Sequence, residues 1–105
     1  MRDIQQVRVW RSAHELALHV YQMTRRLPDS ERYGLQAQMR RAAVSVPSNI
    51  AEGCGRRTHS ELHNFLGIAS GSLTELEAQT LLMRDLGLGQ PDELGATLRE
   101  IQSVR

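Results

Sequence analysis

Six arginines stand in three adjacent pairs: Arg25 and Arg26, Arg40 and Arg41, Arg56 and Arg57. A guanidinium presents a planar fork of donors that matches a phosphate or a carboxylate in bidentate fashion, so paired arginines point to anion recognition. The last pair sits in the string EGCGRRT, where a glycine-rich segment leads into a new helix. Backbone N–H groups and the helix dipole attract anions at such a place. No strand precedes it, and neither dinucleotide-binding nor P-loop spacing is present, which argues against a nucleotide. A phosphate of a polymeric nucleic acid fits better, and a plain helix end followed by a plain helix start is the competing reading. Collected on one end or flank of a bundle, the three pairs make a patch that tracks phosphates. Without an exposed aromatic platform, base stacking and sequence readout are weak. The alternative is a solvated face with exposed ion pairs to Glu15 or Glu31.

Other residues invite chemistry less strongly. Arg41, Ser45, Ser48 or Asn49, and Glu52 follow helical spacing, and Ser72, Glu75 and Gln79 do the same further on. Burying such groups unpaired costs several kcal/mol, so polar stripes beside a core are exposed or bonded across an interface. Arg41, Asn49, Glu52 and Glu75 therefore read as a structural or intersubunit network. No nucleophile or histidine stands where acid-base catalysis would need one, so the chain reads as a non-enzyme. His59 and His63 are four apart, but HSELH is not HExxH and offers no third ligand. Cys54 beside two arginines has the setting of a lowered thiolate pKa, with a small residue at a helix end as the simpler reading. No metal and no cofactor is expected.

These residues need a scaffold, and the totals constrain it. The 105 residues fit one domain over 1–105. With 40% apolar residues but only 4% aromatics, the interior must be built from Leu, Ala, Val, Ile and Met, which favours packed helices over a sheet. One cysteine excludes an internal disulfide and a Cys-based zinc cluster, and suits a cytoplasmic location. The longest uncharged run, Asn64 to Thr74, is far short of the ~20 residues that span a bilayer, and the N-terminus has no apolar signal core. A soluble protein without a membrane partner follows. Net charge is +1, yet residues 1–57 hold ten Arg against five acids and residues 58–105 three against seven. Such asymmetry suits an anionic partner or self-association of unlike halves. Every basic side chain is Arg and none is Lys, which genomic base composition would also explain.

Four helices can be traced. Apolar positions Val9, Trp10, Ala13, Leu16, Ala17, Val20, Tyr21, Thr24 and Leu27 form one face, with Leu18 outside it as a hint of a second buried surface. A second helix is predicted from Ser30 or Glu31, burying Leu35, Gln38, Met39, Ala42, Ala43, Val46 and Ile50. Pro47 predicts a kink or break after Val44, with Ser45 and Ser48 as replacement donors. Gly53 or Gly55 is the expected left-handed terminator. Thr58 and Glu61 form a capping box for a helix from His59 to Leu86, roughly 42 Å long. Its Gly67 and Gly71 suggest another backbone passing close by. After Gly87, Gly89 and Pro91, a last helix carries Leu94, Leu98 and Ile101 or Gln102. Short connections make this all-α, an up-down antiparallel four-helix bundle.

The strings ERYGL, RRAAVSVPSNIAEG and GSLTELE resemble the bacterial four-helix-bundle proteins called 23S rRNA intervening-sequence proteins, which are similar in turn to the accessory variability determinant of diversity-generating retroelements. The resemblance covers about residues 7–88. It implies a helical bundle assembling into a ring, a homopentamer, and for the retroelement relatives a basic surface that binds RNA and a reverse transcriptase. In a ring, the basic half of one subunit can face the acidic half of the next. The expected function is an oligomer that binds RNA or an RNA-associated protein through arginine-rich turns. The alternative is a protein scaffold or adaptor, for example an accessory partner of a reverse transcriptase.

Overall fold

The computed structural model describes residues 3–105; Met1 and Arg2, which the single-domain reading includes, lie outside the described residues. After a 3-10 turn at Ile4–Gln6 come α1 (Arg8–Thr24), α2 (Leu35–Cys54), α3 (His59–Asp85) and α4 (Pro91–Val104), with no strand among the described residues. The most extensive contact is between α2 and α3, followed by α1 with α2, while α4 closes against α1 and α3. Neighbours run antiparallel. Arg40 and Gln36 of α2 reach the end of α1 at Thr24, and Ser45 of α2 meets Ser72 of α3.

The apolar seams meet in one core. Leu16, Val20 and Met23 of α1, Met39 and Val46 of α2, Leu76 and Met83 of α3, and Ile101 of α4 are fully buried. Three threonines join them because each hydroxyl bonds within its own helix: Thr24 donates to Val20 O (2.7 Å), Thr80 to Leu76 O (2.8 Å) and Thr97 to Glu93 O (3.0 Å). His19 Nδ1 lies 2.8 Å from Glu100, and Arg105 donates to Glu77 at 3.1 Å, so both seams of α4 are tied at the surface.

Several local expectations change. The second helix begins at Leu35, because Asp29–Glu31 forms a separate 3-10 turn. Glu31 instead works from that turn, its Oε1 accepting from Leu35 N at 3.2 Å. α2 passes through Pro47 without a break. Val46, Pro47 and Ile50 are all buried, so packing holds both sides of the proline in register. Near the proline the side chain that bonds backbone is Asn49, donating to Ser45 O at 2.8 Å. The end of α2 is right-handed, with Gly55 at φ −88° donating to Ala51 O and Glu52 O. Left-handed glycines occur at the other turn, Gly87 and Gly89 between α3 and α4. Val9, Tyr21 and Leu66 are substantially exposed and Gln38 lies outside the core, while Ile101 takes the place offered to Ile101 or Gln102. No atom outside the helix backbone comes within 4 Å of a Cβ built on Gly67 or Gly71. The close approach is at Gly53, where a Cβ would stand 3.0 Å from Leu62 Cδ1 and 3.1 Å from Phe65 Cβ.

Candidate nucleic-acid interface

Gly53 lets α3 come in tight against the end of α2, and that crossing fixes the short turn holding Arg56 and Arg57. α1 begins and α4 ends beside Ile50 and Leu66, as Val9 and Val104 line one groove with them. The α2–α3 turn projects past that level as a tip. Thr58, the residue before α3, accepts from Glu61 N through its hydroxyl at 3.1 Å. This leaves the first amides of α3, at His59 and Ser60, without an acceptor in the helix, as at any helix start. Arg56, Arg57, Thr58, His59 and Leu62 line a hollow of about 520 Å³ on this tip.

Arg56 is held in place. Its Nη2 lies 3.4 Å from Glu52 Oε2, and its guanidinium carbon stands 4.9 Å from the centre of the Phe65 ring. Both contacts are at the surface, so they orient the side chain more than they stabilise the fold. Arg57 is exposed and has no ion-pair partner among the described residues. With the unpaired amides beside it, the tip concentrates donors for an anion.

The remaining arginines do not join it. Arg25 and Arg26 lie at the far end of α2, whose 20 residues set the two turns about 30 Å apart. Arg26 pairs with Glu93 at 3.1 Å. Arg40 is half-buried and folds onto α1, with Nε 2.9 Å from Thr24 Oγ1, Nη2 3.2 Å from Tyr21 O, and the guanidinium 4.5 Å from the Tyr21 ring centre. Arg41 is exposed on the second turn of α2, nearer the Arg25–Arg26 end than the tip. One end or flank therefore does not carry all three pairs.

The polar stripe divides as well. Ser45 is its centre, accepting from Asn49 Nδ2 at 2.9 Å and from Ser72 Oγ at 2.7 Å across the α2–α3 seam. Glu52 turns to Arg56 and Glu75 to Gln79 Nε2 at 3.2 Å. His59 and His63 are both exposed, and no group of three or more His, Cys, Asp or Glu among the described residues stands where it could hold a metal ion.

Over residues 5–105 the chain matches the family model for the 23S rRNA-intervening sequence protein. The chain belongs to that family. The match extends through α4, past the 7–88 segment that carries the resemblance in the sequence, and so takes in all four helices of this chain. No curated protein matches the chain. No described helix of this family member is long and apolar enough to cross a membrane.

Beside the charged tip the molecule carries an apolar feature. Trp10, stacked on His14 at 4.7 Å between ring centres, lines an open groove of about 470 Å³ between α1 and α2 with Leu18, Tyr21, Val44 and Pro47. The signal for it was Leu18, off the core stripe and 52% exposed.

Proposed function

We propose that this member of the 23S rRNA-intervening sequence family is a non-enzymatic, cytoplasmic RNA-binding protein working as a homo-oligomer. The observation that carries the reading is the basic tip, where Arg56 and Arg57 flank the unpaired amides that open α3. The tip supplies charge and backbone donors without an aromatic platform, so it grips phosphates and discriminates little between bases. Arg41 extends the contact along α2, and Arg25, Arg26 and Arg40 contribute at longer range. Arg41, Asn49, Glu52 and Glu75 serve as structural or intersubunit polar contacts. The family resemblance supports closure of the subunits into a ring of five. The absent N–H and crowded turn at Pro47 support a bend in the axis of α2, which continues unbroken through it.

Fluorescence polarisation with a structured RNA over a salt series tests this. Binding at low salt that weakens steeply with salt, and falls at least tenfold when Arg56 and Arg57 are both changed to Ala, is the expected result. An RNA that does not bind at low salt, or binds the double variant equally well, sinks it.

The open groove favours one other reading, a scaffold or adaptor whose ligands are proteins, an RNA-associated protein such as a reverse transcriptase among them. Partners recovered unchanged after nuclease treatment would favour that role.

A further inference from the structure

This chain leaves more surface uncovered than its size requires. Its accessible area is 6715 Å², against about 6,000 Å² for a compact monomer of 11.9 kDa. Two exposed apolar faces stand on this surface, and they are not alike. One is the α1–α2 groove, rimmed by Leu18 and Val44, which are 52% and 42% exposed. The other is a line along α3, with Ile68 and Leu82 at 45% and 49% exposure and Leu86 beyond them.

Charge is distributed along both faces at one spacing. Along α1 and its C-cap residue, Arg11, Leu18 and Arg25 recur every seven residues, which places them on one side of the helix about 10 Å apart. On α3, Ile68, Glu75 and Leu82 recur at the same interval. The first line is cation, apolar, cation, and the second is apolar, anion, apolar. Laid side by side with Glu75 against Arg11 or Arg25, the lines bring Leu18 against Ile68 or Leu82. Neither line suits itself, since a two-fold pairing of α3 lines brings Glu75 towards its own copy, and a pairing of α1 lines opposes arginines.

We propose that the α3 line of one copy seats in the α1–α2 groove of a second copy, making the contact between subunits heterologous. It rests on the homo-oligomer reading above and adds which faces meet. A head-to-tail contact uses a different patch on each partner, so every subunit keeps one groove and one ridge to offer and the chain of contacts continues until it closes. Unlike charges fix its register and disfavour the two symmetric alternatives. Arg25 then lies at the subunit contact, while the tip at Arg56 and Arg57 stays outside it.

The experiment uses two variants of the full chain, Leu18→Glu to block the groove and Leu82→Glu to block the ridge. Both residues are about half-exposed, and unchanged circular dichroism verifies the fold; Val44→Glu and Ile68→Glu form a second pair if either fails it. In light scattering after gel filtration, the wild type is expected to exceed a dimer, each variant to run as a monomer, and the equimolar mixture to form a one-to-one dimer and nothing larger. Each variant retains the face its partner lacks, so only a head-to-tail contact is rescued by mixing. A wild-type oligomer whose variants assemble normally, or whose mixture stays monomeric, overturns the assignment of faces. A wild type that is monomeric at high concentration overturns the homo-oligomer reading itself.

Discussion

The guanidinium of Arg40 closes the end of α1 through Thr24: its Nε donates to Thr24 Oγ1 at 2.9 Å while that hydroxyl donates to Val20 O at 2.7 Å. The same side chain takes Tyr21 O at 3.2 Å and covers the Tyr21 ring. A helix end leaves carbonyls without partners, and here a residue sixteen positions away supplies a charged donor. Arg40→Ala is expected to cost about 1–3 kcal/mol, because Thr24 is fully buried and loses a charge-assisted bond. Urea unfolding measures it. Arg40→Lys keeps the charge and recovers only part, since an ammonium cannot reproduce the fork.

Gly53 and Gly71 should respond oppositely to a side chain. Gly53→Val pushes a branched group into Leu62 and Phe65, with an expected loss of about 1–3 kcal/mol. Gly71→Ala meets nothing in its own chain and should raise the stability of the isolated subunit by about 0.5–1 kcal/mol through helix propensity. Thermal unfolding of both variants under dilute conditions checks the contrast.

Thr58 caps the helix that carries the tip. Thr58→Ala removes the 3.1 Å acceptor for Glu61 N and should lower stability by about 1 kcal/mol, while Thr58→Asp should retain it. Amide exchange over residues 59–62 localises the change to the first turn of α3.

Salt dependence separates a phosphate contact from a merely structural arginine. Each phosphate neutralised contributes about 0.7 to the slope of log affinity against log salt for single strands and about 0.9 for duplexes. Removing Arg56 and Arg57 together should flatten the slope by about 1.4–1.8, whereas Arg26→Ala, whose side chain is paired with Glu93, should leave it nearly unchanged. Equal flattening by both would put the contact elsewhere than the tip.

Local periodicity made most of the fold legible. The stripe through Leu16, Val20 and Met23, the Thr58 cap and the extent of α3 depend on residues three to seven positions apart, so a reader of the chain can find them. Pro47 was harder. The helix continues through it with Val46 and Ile50 buried on either side, and that packing against other helices is invisible along the chain.

The candidate site divides along the same line. That Arg56 and Arg57 fall in a turn at a helix start followed from Gly55 and Thr58, whose preferences are local. Whether three arginine pairs act together depended on where helices turn back, and α2 sets the outer pairs at opposite ends while Arg40 is drawn onto α1. Type and spacing determined four amphipathic helices and an uneven charge. Tertiary structure alone decided which arginines remain available and which glycine is crowded, because those outcomes depend on distances between residues far apart in sequence, set only when the helices pack.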